Sequence, residues 1–124
     1  MKELAQQARA ILAVYVERGR VALARFAERR DDDAIGLLRA RTAAFHNFRA
    51  VSARAEAAGW DPAKDEAARA LWSESRGIDQ ELAAAIEAAR ERALGLQQKV
   101  KEARRAIGNY RSGSVDTPRF EKTV

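Results

Sequence analysis

The stretch that decides the fold is Leu71–Ile107, LWSESRGIDQELAAAIEAARERALGLQQKVKEARRAI. Apolar or small residues recur at Leu71, Ser75, Ile78, Leu82, Ile86, Ala89, Ala93, Leu96, Val100, Ala103 and Ile107. Steps of three and four, kept up over this length, draw one stripe along one face of an α-helix. The residues between are mostly Glu, Arg, Gln, Lys and Ala, which lose little side-chain freedom in a helix. One extra four-residue step near Leu82 shifts the heptad towards an eleven-residue repeat. The spacing predicts a helix from about Pro62 to Asn109, about 70 Å long at 1.5 Å per residue. Its expected weak point is Ser73–Gly77, so this segment reads either as one helix or as two that meet near Gly77.

Upstream lie two shorter helical patterns. From about Lys2 to Glu28 the stripe runs through Leu4, Ala8, Ile11, Tyr15, Ala22 and Phe26, with Leu12, Val16 and Leu23 beside it. Gly19 interrupts it at a cost of about 1 kcal/mol relative to Ala. From about Asp33 to Ala58 the expected stripe is Ile35, Leu38, Thr42, Phe45 and Ser52, with Arg49 on the same line and Leu37, Phe48 and Val51 widening it. Arg29-Arg30-Asp31-Asp32-Asp33 separates the two. Its basic half suits a helix end and its acidic half a helix start, where an Asp can cap. Gly59 suits the residue just past a helix, Asp61 an N-cap, and Pro62 a first turn.

These segments predict an all-α fold, an antiparallel up-down bundle of three long helices, with residues 1–110 as one domain. The first two helices would reach about 40 Å each. The third is too long for them, and must overhang, bend back or pack on something else. Residues 111–124, with Gly113, Pro118, Val115 and Phe120, read as a flexible C-terminal tail.

Composition narrows the function. Among 124 residues there are two prolines and no cysteine, so disulfides and thiolate chemistry are excluded. Hydrophobic residues are 47%, much of it alanine, which allows narrow seams between helices rather than a thick core. The net charge of +5 comes from 23 basic and 18 acidic residues in short blocks, the pattern of solvated helix faces. No apolar run approaches the ~20 residues of a membrane span, and Met1 to Arg9 lacks a signal-peptide pattern, so a cytoplasmic location is expected.

Catalytic chemistry is not expected. His46 is the sole histidine, which rules out the usual His-rich metal sites. Glu residues alternate with Arg, as at Glu87 and Arg90, in helix-surface fashion rather than converging as an acid–base pair. No glycine-rich phosphate loop occurs, and no cofactor or metal is expected. Lys99, Lys101, Arg104 and Arg105 could touch phosphates. Glu102 sits among them, however, and no aromatic residue interleaves for base stacking.

The layout resembles the flagellar type III export chaperones of the FliT and FlgN type. The features are the long first helix, the charged turn, the opening Asp33-Ala34-Ile35-Gly36-Leu37-Leu38, the stretch Ile78-Asp79-Gln80-Glu81-Leu82, and Tyr110 before a tail. The resemblance covers most of the chain. It implies a cytoplasmic protein that binds the helical terminal segment of a filament-cap or hook-associated subunit and delivers it to the export apparatus. A thin apolar seam accepts an amphipathic helix through i, i+3, i+4 anchors. On that reading the partner-binding residues are Leu82, Ile86, Leu96, Val100 and Ile107, with Tyr110 at the edge. Two other readings stand beside it. One is a coiled coil in which the third helix pairs with its copy as a homodimer. The other is a basic protein associated with nucleic acid.

Overall fold

The computed structural model describes residues 2–114. Three α-helices follow one another: α1 (Lys2–Ala27), α2 (Asp31–Ala57) and α3 (Glu66–Ser114), with a 3-10 turn at Pro62–Lys64 before α3. The chain divides into two compact units, Met1–Ala89 and Arg90–Val124.

The first unit is the three-helix bundle. One buried cluster joins Ala5, Ala8 and Leu12 of α1 to Phe48 and Ala55 of α2 and Ala68 of α3, with Trp60 from the connecting loop. The other joins Val16, Ala22 and Phe26 to Ala34, Ile78 and Leu82. The start of α1 thus meets the end of α2 and the start of α3, while the end of α1 meets the start of α2. That order is the expected up-down-up topology.

Half of the buried hydrophobic residues in this core are alanines, which bring helix backbones close together. This explains a rotation of α2 relative to expectation. The buried line is Ala34, Arg41, Ala44, Phe48, Ser52 and Ala55. Ile35, Thr42 and Arg49 face outwards, while Leu38 and Phe45 are half-buried. Weighting the large side chains selected the flank of the stripe, because the small residues form its centre. Thr42 needs no outside partner, since its hydroxyl donates to the Leu38 carbonyl one turn back (3.1 Å).

Both turns close α-helices in the same way. After α1, the Arg30 N–H donates to the Arg25 carbonyl and the Arg29 N–H to the Phe26 carbonyl. After α2, Trp60 donates to Ala55 and Gly59 to Glu56. This pairing is the Schellman motif, which places one residue in the left-handed region. Gly59 (φ 105°) fills that place after α2 as expected, whereas after α1 it is Arg29 (φ 62°). Asp31, Asp32 and Asp33 lie inside the first turn of α2, and the N-cap, Arg30, makes no side-chain cap. There the aspartates complement the helix dipole rather than cap it.

Asp61 caps the 3-10 turn by accepting from Ala63 N–H (3.0 Å). Asp65 then starts α3, its Oδ1 accepting from Ala68 N–H (3.1 Å). The third helix therefore begins at Glu66, not Pro62. It also passes through Ser73–Gly77 without a break, since good helix formers on both sides of Gly77 outweigh one glycine. It continues to Ser114, four residues into the stretch read as tail. Residues 115–124, with Val115 and Phe120, lie outside the described residues. Among the described residues no helix is long and apolar enough to cross a membrane.

Candidate partner-binding face

The stripe on α3 divides into two parts. Within the first unit, Leu71, Ser75, Ile78 and Leu82 turn into the bundle, and Ala85 and Ala89 pack half-buried against the second cluster. Leu82 is only 3% exposed, so as a partner-binding residue it is corrected to core: α1 and α2 already cover it. Ile86 is 45% exposed at the margin of this packing.

In the second unit the stripe faces outwards. Leu96 is 64% exposed, Val100 40% and Ile107 52%, while Ala93 before them and Ala103 between Val100 and Ile107 are exposed too. Tyr110 lies on the same helix, but its side chain is outside the described residues. Three of the six expected residues, Leu96, Val100 and Ile107, are thus brought together on one uncovered line.

That line has a heptad register. The order Ala93, Leu96, Val100, Ala103, Ile107 advances by three, four, three and four residues. Val100 and Ile107 then occupy a positions and Leu96 a d position, the arrangement found in two-stranded coiled coils. The flanking e and g positions are Arg90, Gln97, Arg104 and Arg92, Lys99, Ala106. None is acidic. Glu91 and Glu102 fall at the outer f and c positions, and Glu102 accepts there from Gln98 Nε2 (3.3 Å). The acidic residue that interrupts the basic cluster along the sequence is therefore separated from the seam by the helical turn.

Two polar centres in the first unit were not foreseen. Arg41 is buried at the middle of the bundle. Its guanidinium stacks over the Tyr15 ring, 4.0 Å from the centroid. Its Nε donates to the Tyr15 carbonyl (3.3 Å), and Nη2 reaches Asp79 Oδ1 (2.7 Å) and Ser75 Oγ (3.4 Å). One side chain thus ties α1, α2 and α3 together. A signal was present in the sequence: Arg41 lies seven residues from Ala34 and three from Ala44, on the alanine line.

The second centre is Asp65. Besides capping α3, its Oδ2 accepts from Arg9 Nη1 (2.6 Å) and Trp60 Nε1 (3.0 Å). The Ala68 N–H, then the Trp60 and Arg9 donors, hold this carboxyl below the usual aspartate range against the opposing effect of burial. Both centres are structural clamps that join elements of the bundle.

An open depression of about 930 Å³ lies on the outer side of the α3 start, lined by Pro62, Ala63, Glu66, Arg69, Trp72 and Arg76 among others. Its tryptophan is held by Phe48 (centroids 5.5 Å, edge-on) and Tyr15 (6.3 Å), so it serves the core as well as the surface. No protein-family model matches the chain, and neither does any curated protein or solved structure.

Proposed function

We propose that this protein is a helix-binding module, and that the uncovered seam of Leu96, Val100 and Ile107 receives an amphipathic helix of another protein. The observation that carries the reading is the exposure of these three side chains in heptad register, on a helix whose stripe turns into the bundle from Leu71 to Leu82. Large apolar residues at a and d positions gain from burial in a partner's groove, and a facing helix supplies that groove. The resemblance to flagellar export chaperones gives the partner a concrete form: the helical terminal segment of a filament-cap or hook-associated subunit. The resemblance implies that covering such a segment keeps it from assembling early.

The test is titration calorimetry of the full chain with the terminal segments of the filament-cap and hook-associated proteins of the same organism. The expected result is a complex with one of them that is lost in Leu96→Gln/Val100→Gln. Failure of every such segment to bind would overturn the chaperone reading.

A further inference from the structure

Resting on the reading of Leu96, Val100 and Ile107 as a helix-binding seam, we infer that its occupant is a heterologous amphipathic helix with acidic residues flanking its own apolar stripe, and not a second copy of this chain. In a two-stranded coil the residues that face each other across the seam sit at e and g, and their charges choose the partner. Here those positions carry Arg90, Arg92, Lys99 and Arg104 with Gln97 and Ala106. In a parallel pair of copies, Lys99 would face Arg104 of the other chain. In an antiparallel pair, each flank would face its own kind. Either way basic residues oppose basic or neutral ones across the seam, since no e or g position carries an acidic residue. Like charges so placed disfavour the pair, while Glu or Asp on a foreign helix would meet a cation on both flanks.

The same register argues against a membrane surface. Membrane-bound amphipathic helices present a broad apolar face with large side chains. The large side chains of this seam are only Leu96, Val100 and Ile107, and its other two positions, Ala93 and Ala103, are alanine. Alanines at d and a allow another helix to approach closely, which a lipid surface does not require. The acidic side chains Glu91 and Glu102 fall at f and c, outside the e and g flanks of the seam.

The experiment uses the full chain and three designed three-heptad peptides, with binding followed by fluorescence anisotropy at about 50 and about 500 mM salt. Two peptides share Ile/Leu at a and d but carry Glu or Lys at e and g. The third keeps the Glu flanks and has Ser at a and d. The Glu-flanked apolar peptide should bind about tenfold or more tightly than the Lys-flanked one at low salt, with the gap narrowing at high salt. The Ser peptide should not bind. Lys99→Glu/Arg104→Glu should reverse the preference, and Leu96→Gln/Val100→Gln should abolish binding of both apolar peptides.

Equal binding of the Glu- and Lys-flanked peptides would overturn the charge inference and leave the helix-binding seam standing. Binding of neither would overturn the seam itself. Sedimentation as a dimer that dissociates in Leu96→Gln/Val100→Gln would assign the seam to a second copy. Binding to phosphatidylserine vesicles or duplex DNA that is lost in the same variant would assign it to those surfaces, and each result would overturn the proposal.

Discussion

Gly19 of α1 faces Ile78 of α3 with no room for a side chain between them. A Cβ on Gly19 would lie 2.8 Å from Ile78 Cγ2 and 3.0 Å from Arg41 Nε. A glycine that weakens its own helix is therefore the residue that lets three helices meet at one level. Gly19→Ala should destabilise the fold by about 1–3 kcal/mol through overpacking, despite the better helix propensity of alanine. Gly77→Ala is the matched control: nothing lies within 4 Å of its Cβ, and it should stabilise by up to about 1 kcal/mol. Urea unfolding of the two variants should move the midpoint in opposite directions.

The left-handed residues that close α1 and α2 make a second matched pair. Arg29 holds φ 62° where Gly59 holds φ 105°. A side chain in that region costs about 1–2 kcal/mol. Arg29→Gly should recover about 1 kcal/mol of stability, and Gly59→Ala should lose a similar amount, both measured as shifts in the thermal midpoint.

Arg41 should prove the most demanding polar residue of the core. Arg41→Ala removes the stack on Tyr15 and the guanidinium that fills the space between Tyr15, Ser75 and Asp79, so a loss of about 2–4 kcal/mol is expected. Its ion-pair partner Asp79 is half exposed, where water competes for the carboxylate. Asp79→Asn should therefore cost only about 1 kcal/mol or less. Equal losses in the two variants would mean that the ion pair, rather than the packing of the guanidinium, dominates.

Asp65 gives the fold an acid-sensitive joint. Folding lowers its pKa, so the folded state favours the carboxylate. The stability it contributes is fully present above the unfolded value of about 3.9, and is lost as pH falls through the lower folded value. Asp65→Ala should cost about 2 kcal/mol near neutral pH through the lost cap and lost donors. The gap between wild type and variant should shrink as pH falls below about 4. Urea midpoints across pH 2–7 check this; a gap that stays constant would show that ionisation of Asp65 does not contribute.

Helix number, type and order were legible in the sequence because the apolar steps of α1 and α3 are long and regular. The face of α2 was misjudged because its packing depends on Ala34, Ala44 and Ala55, which carry little weight beside Ile35 and Phe45. Arg41 was hidden for a related reason: a charged residue on a buried line reads as surface until Tyr15, Ser75 and Asp79 are seen around it. The unbroken course of α3 through Gly77 could not be read from one glycine, whose cost is small beside the length of helix around it. At the candidate site, periodicity placed Leu96, Val100 and Ile107 on the α3 stripe, and the structure leaves them exposed. Periodicity could not separate them from Leu82, because burial depends on which neighbours reach each turn.

Urea unfolding of the full chain carrying Leu96→Gln, Val100→Gln and Ile107→Gln, beside Leu82→Ala, tests the central claim most directly. If the seam is held open for a partner, the triple variant should stay within about 0.5 kcal/mol of wild type, whereas Leu82→Ala should lose about 2–5 kcal/mol. A loss in the triple variant as large as that of Leu82→Ala would show that these three side chains are core of the chain itself, and would contradict the account.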